Sequence, residues 1–175
     1  FPLYCPSCKS KTIKEFNLIT KKYDAVRRCT NEGFECEKIA IEKIKHFISK
    51  EALNIEGLGK KVVEKFWELN LIRKPQDIFS LKYDYIANLD GWGKLSVNNL
   101  RNSINKSKVV SLQKFIYSIG IRHIGIENAK IISENLKNTD NFLEIIRTKK
   151  FEKFLNIDGI GDTQINSLKN FFSNK

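Results

Sequence analysis

The chain has 175 residues, 31 Lys and Arg against 20 Asp and Glu, and a formal net charge of +11 at pH 7. An apolar fraction of 41% with 11% aromatic residues can supply a packed core and excludes a disordered basic tail, whose hydrophobicity is too low to offset the entropy of ordering. No run of about 18 uncharged apolar residues occurs, and Phe1-Pro2-Leu3-Tyr4-Cys5 lacks the basic start and apolar stretch of a signal peptide, which disfavours membrane-spanning and secretory classes and points to the cytoplasm. Methionine is absent and the first residue is Phe1, as expected of an internal piece of a longer protein.

The four cysteines, Cys5, Cys8, Cys29 and Cys36, are spaced as C-x2-C, a 20-residue gap and C-x6-C. A tight turn at Cys5-Pro6-Ser7-Cys8 directs two thiolates at one point, and a second pair from a returning strand completes the tetrahedral four-sulfur geometry that structural zinc prefers. Thr12-Ile13-Lys14-Glu15-Phe16 and Tyr23-Asp24-Ala25-Val26-Arg27-Arg28 alternate as the two arms of a hairpin that would carry that pair. So short a segment buries little core, so a metal would replace the missing hydrophobic stabilisation. A disulfide pair and a redox C-x-x-C remain as alternatives, and His46 competes with Cys36 for the fourth ligand position. Four thiolates and one Zn²⁺ would lower the net charge to about +9.

From residue 37 the pattern becomes helical. Ile41, Ile44, Ile48 and Ala52 mark an amphipathic helix of about four turns. It ends at Ile55-Glu56-Gly57-Leu58-Gly59, after which Val62, Val63, Phe66 and Trp67 begin another helix. The arrangement recurs at Leu89-Asp90-Gly91-Trp92-Gly93, at Ile121-Arg122-His123-Ile124-Gly125, where His123 replaces the first glycine, and at Ile157-Asp158-Gly159-Ile160-Gly161. The last glycines, Gly59, Gly93, Gly125 and Gly161, are 34, 32 and 36 residues apart, the spacing of a repeated supersecondary unit. Glycine at both positions would permit positive φ and let the backbone approach a ligand, the apolar residue between them would plug the turn into the core, and the following helix would present free N–H groups to a phosphate. A single G-x-G before a helix is often only a cap and turn. Four copies, with Lys60, Lys61, Lys94 and Arg122 beside them, favour nucleic-acid phosphate contacts. Trp92 fills an apolar slot and is expected in the core.

The tandem turns resemble the helix-hairpin-helix DNA-binding motif. Their order after a four-cysteine module resembles the C-terminal half of bacterial NAD-dependent DNA ligases, as do Arg28-Cys29-Thr30-Asn31 running into His46 to Gly59 and Gly120-Ile121-Arg122-His123-Ile124-Gly125. The resemblance implies a mainly α fold, with a four-cysteine zinc finger bearing a short β-hairpin at 1–37. Four helix-hairpin-helix units in two pseudo-symmetric pairs would follow at 38–175, with hairpins near 55–60, 89–94, 121–126 and 157–162. It implies a monomeric, sequence-independent grip on nicked duplex DNA in replication and repair, across the minor groove, through Gly57, Gly59, Lys60, Lys61, Gly91, Gly93, Lys94, Arg122, His123, Gly125, Gly159 and Gly161. Zn²⁺ would belong to this segment, NAD⁺ and Mg²⁺ to other domains. The family's adenylated lysine stands in a K-x-D-G motif; Asp90-Gly91 and Asp158-Gly159 here follow Asn88 and Asn156, so no catalytic residue is expected. The alternatives are the DNA-binding part of a glycosylase or nuclease of the same motif class and a non-catalytic DNA scaffold.

Overall fold

The computed structural model describes residues 2–17, 21–31 and 33–173, which form a mainly α bundle preceded by a small β-bearing module with four clustered cysteines. Strand β1 (Thr12–Ile13) pairs antiparallel with β4 (Arg28–Cys29), and β2 (Phe16–Asn17) pairs antiparallel with β3 (Lys22–Tyr23), the hairpin expected from the alternating stretches. Thr12 is buried and polar, so it needs partners. Its hydroxyl donates to the Pro2 carbonyl at 2.7 Å and accepts from Arg27 Nε at 2.9 Å.

The helices are α1 (Glu37–Ile48), α2 (Lys60–Glu68), α3 (Tyr83–Ile86), α4 (Lys94–Ser107), α5 (Leu112–Ser118), α6 (Ile126–Leu136), α7 (Thr139–Thr148) and α8 (Asp162–Ser173), with 3-10 turns at Pro75–Ser80 and Phe151–Asn156. The first helix stops at Ile48, a turn short of the expected Ala52. Asn54 adopts φ +50° and its N–H turns back to the Ser49 carbonyl, so Ala52 is buried in the connecting turn. The segment leading into the second hairpin shrinks to the four-residue α3, and the one leading into the fourth to a 3-10 turn.

The chain divides into two compact units, residues 1–45 with 60–81 and residues 46–59 with 82–175. In the first, Ala40, Ile44, Val63, Phe66, Ile72 and Ile78 are fully buried. In the second, Ile116, Ile121, Ile124, Ala129, Ile132, Phe142, Ile145, Phe151, Phe154, Ile157, Ile160, Ile165 and Leu168 form one cluster, and Phe142 meets Phe115 and Phe172 edge to face. The apolar residues of the third and fourth hairpins are members of this cluster, so the core itself fixes the turns from within. Gly57 in the first hairpin lies against Leu100 of α4, and Gly159 in the fourth against Ile131 of α6, at 3.4 and 3.0 Å from the positions their Cβ atoms would take. The Glu56 N–H also donates to Ser103 Oγ of α4 at 2.7 Å. Among the described residues no helix is long and apolar enough to cross a membrane.

Candidate functional site

The four cysteine sulfurs converge from three local structures. Cys5 and Cys8 come from a turn closed by the Cys5 N–H to Ser10 and the Lys9 N–H to Cys5 carbonyl bonds, 2.8 and 2.9 Å, with Lys9 at φ +62°. Cys29 is delivered by β4, in register with Thr12 of β1. Cys36 immediately precedes α1, and its carbonyl accepts from the Ala40 N–H at 2.8 Å. All four Sγ atoms lie within 4.8 Å of one another, with Cys5 to Cys36 at 3.8 Å and Cys8 to Cys29 at 3.4 Å. A tetrahedron with Zn–S bonds of about 2.3 Å has edges of about 3.8 Å, so this cage is suited to a structural zinc ion. The cysteines are free thiols, in agreement with the metal reading over the disulfide one. The positive end of α1, starting beside Cys36, opposes the net negative charge of a thiolate cage. His46 is engaged elsewhere: its Nε2 donates to the Tyr117 carbonyl at 2.7 Å, capping α5, and the two rings meet edge to face.

The thiols are not equivalent. Hydrogen bonds from the Ser10 hydroxyl and amide hold Cys8 down to about 6, amides of Cys8 and Ser7 lower Cys5, and burial pushes Cys29 up to about 12. At neutral pH Cys8 is therefore mostly thiolate, while Cys29 surrenders a proton on metal binding. As pH falls through about 6 the Cys8 proton must also be displaced, each displaced proton costing about tenfold in affinity per pH unit. Apparent zinc affinity should thus fall with acid, and more steeply below pH 6 than above it. Chelator competition across pH 5 to 8 measures this, and an affinity independent of pH would exclude thiolate ligation.

Each hairpin pivots on its third residue. Gly57, Gly91 and Gly159 have φ of +90°, +80° and +85°, and His123 in the same place has +61°. Histidine tolerates the left-handed region better than most residues, and Asn128 Nδ2 holds the His123 carbonyl at 2.8 Å. The expectation of positive φ at both glycines holds for the first alone. The second glycine is a helix start instead: Gly93 (φ −135°) and Gly125 (φ −82°) are the N-caps of α4 and α6. A Cβ on Gly59, Gly93 or Gly125 would meet nothing within 4 Å, and one on Gly161 only Gln164 Oε1 at 3.6 Å. All four second glycines are exposed, as are Lys60, Lys61, Lys94, Arg122 and His123. Neither backbone strain nor internal packing requires glycine there.

The family described as the helix-hairpin-helix motif matches residues 114–175. The DNA ligase of Pelagibacter ubique (strain HTCC1062) is 64% identical over all 175 residues of this chain, which correspond to 26% of that protein. The DNA ligase of Rickettsia bellii (strain RML369-C) is 44% identical over 99% of the chain, and that of Parvibaculum lavamentivorans 37% over 100%, each again 26% of the relative. The chain is homologous to a segment of bacterial DNA ligase. It spans about a quarter of the length of these relatives.

In this chain the motif match begins within α5 and takes in the third and fourth hairpins. The first two hairpins repeat their geometry outside the matched stretch. Trp92 is only half-buried, whereas Leu58, Ile124 and Ile160 in the same slot are buried; an indole is too large to sink fully into a place shaped for a branched aliphatic side chain. Two polar residues at the hairpins were not foreseen from the sequence. Ser96 Oγ accepts the Gly93 N–H at 2.9 Å, and Gln164 Oε1 accepts the Gly161 N–H at 3.2 Å. Both stand three residues after the helix-capping glycine, the spacing of a capping box, and that spacing was the available signal.

Proposed function

We propose that this chain is the duplex-gripping part of an NAD⁺-dependent DNA ligase. It takes no direct part in the chemistry. Residues 1–37 form a zinc-stabilised module and residues 38–175 the DNA-binding domain, while parts of the enzyme that use NAD⁺ and Mg²⁺ carry out adenylation and sealing in replication and repair. The supporting observation is the outward face of the second glycines. Gly59, Gly93 and Gly125 start helices, point into open space and are spared any internal demand for glycine, so the demand comes from something that approaches the backbone from outside. A phosphate does this: it takes hydrogen bonds from N–H groups at a helix start and favours the positive end of the dipole.

Lys60, Lys61, Lys94 and Arg122 add charge next to these turns, with His123 at the tip of the third and Gly57 and Gly91 setting the left-handed bend in the first two. The fourth hairpin offers the same backbone through Gly159 and Gly161 but no cation. Backbone and lysine contacts to phosphate carry no sequence information, which suits an enzyme that acts on nicks wherever they occur. Two hairpins on each strand would hold the duplex across its minor groove, with one protein molecule per nick. The chain works in the cytoplasm, beside the chromosome.

Titration of a nicked duplex at increasing salt tests this. Four cations neutralising four phosphates give a log–log slope of about −3.6, from about 0.9 per phosphate, or roughly a hundredfold weakening between about 50 and 200 mM salt. A flat dependence would remove the phosphate-grip proposal.

A further inference from the structure

The four hairpins share a backbone and differ in charge. The first contains Glu56 and is followed by Lys60 and Lys61, the second contains Asp90 and is followed by Lys94, and the third contains Arg122 and His123. Lys61 and Lys94 make no ion pair among the described residues. From Leu155 to Gln164 the fourth hairpin has no Lys, Arg or His and carries Asp158 and Asp162, both exposed. The depression of about 530 Å³ over this hairpin, walled by residues 155–161, includes one carboxylate and no cation. The lysines flanking it in sequence pair with carboxylates, Lys153 with Glu144 at 3.9 Å and Lys169 with Glu152 at 2.7 Å, as Lys60 beside the first hairpin pairs with Glu64 at 3.9 Å. The Gly161 N–H donates to Gln164 Oε1 at 3.2 Å, as the Gly93 N–H does to Ser96 Oγ at 2.9 Å, so charge, and not the state of this amide, sets the fourth hairpin apart from the second. No acceptor lies in range of the equivalent N–H groups of Gly59 and Gly125 among the described residues.

From these differences we infer that the fourth hairpin is a structural joint that repels DNA phosphate, so that the grip is carried by the first three hairpins. Asp158 and Asp162 limit the affinity of the chain for duplex. The inference rests on the proposed phosphate grip and narrows it. Asp162 in the first turn of α8 already offsets the dipole that would favour an anion there, and with Asp158 in the preceding turn an approaching phosphate would meet two like charges within a Debye length. Gly159 needs its left-handed φ of +85° and its place against Ile131, while at Gly161 an added Cβ would meet only Gln164 Oε1, at 3.6 Å, so alanine would fit there.

Nicked-duplex affinity of three variants of this chain decides the matter, each checked for an unchanged helical signal. Asp158→Asn with Asp162→Asn should tighten binding by about threefold to tenfold at about 50 mM salt, with the gain shrinking as salt rises. Gly161→Ala should leave affinity within about twofold, whereas Gly59→Ala weakens it by about tenfold or more. If Gly161→Ala weakens binding as much as Gly59→Ala, or the neutralised pair binds no tighter than the parent chain, the fourth hairpin is a grip like the others and the inference fails while the phosphate grip stands. If Gly59→Ala is also without effect, or the parent chain does not bind the duplex at all, both fall together.

Discussion

Gly59→Ala and Gly93→Ala each weaken the hold on a nicked duplex by about tenfold to a hundredfold while costing the fold about 1 kcal/mol or less. The asymmetry comes from where the new methyl group points. At both sites an added Cβ has no neighbour within 4 Å, and neither glycine is left-handed; the folded chain loses only the modest advantage of glycine over alanine at a helix N-cap. A phosphate drawn up to the N–H groups would be pushed outward by the methyl group and lose a charge-assisted hydrogen bond of about 1.5–3 kcal/mol, which converts to the stated affinity range. Gly57→Ala is the contrasting control. Its φ of +90° and its approach to Leu100 at 3.4 Å put the cost in stability, about 1–2 kcal/mol for a left-handed L-residue. Thermal melting and duplex titration on the same three variants separate the two effects. Full affinity in Gly59→Ala and Gly93→Ala would make the hairpins joints between helices and nothing more.

Chelation of zinc, or Cys5→Ser, unfolds the front of the chain and spares the rest. Among the described residues from 2 to 36, only Cys5, Thr12 and Cys36 are buried, and each strand is two residues long. Leu3, Tyr4, Ile13, Phe16, Tyr23 and Val26 are all exposed, so almost no apolar surface is withdrawn from water to offset the entropy of ordering this segment. Structural zinc contributes about 10–16 kcal/mol in peptides of comparable size, far more than the few ladder bonds here. The cluster around Phe142 and Phe154 contains no residue before Ile116 and needs no metal. Zinc-free protein should therefore be cut by protease between residues 2 and 36 while most of its helical circular dichroism persists. Equal protease resistance with and without metal would show that the module folds without it.

How far the sequence disclosed this structure depends on what each residue constrains. The cysteines were readable because four thiols at those spacings have few other uses, and the repeats because a left-handed turn selects glycine at Gly57, Gly91 and Gly159 and leaves a mark every thirty-odd residues. The second glycine of each hairpin was also visible, but its cause was not. Only the empty space around Gly59 and Gly93 shows that no internal contact demands it. Thr12 with Arg27 and His46 with Tyr117 were out of reach, since each depends on a partner chosen by the folded chain rather than by a periodic pattern, whereas Ser96 stood at capping-box spacing from Gly93. Trp92 illustrates the opposite error: position in the repeat predicts an apolar residue there correctly, but the size of the slot decides how much of an indole it can take.

The contacts of Gly57 with α4 and of Gly159 with α6 also constrain how such a chain can evolve. A hairpin that leans on the helix of its neighbour is incomplete when copied alone, because the duplicate exposes the surface the neighbour covered. A pair of motifs carries its own cover, so gaining or losing a pair would disturb the fold less than gaining or losing one motif alone. Between such events, selection is left to alter individual side chains, and that is how copies with one backbone can come to carry opposite charge.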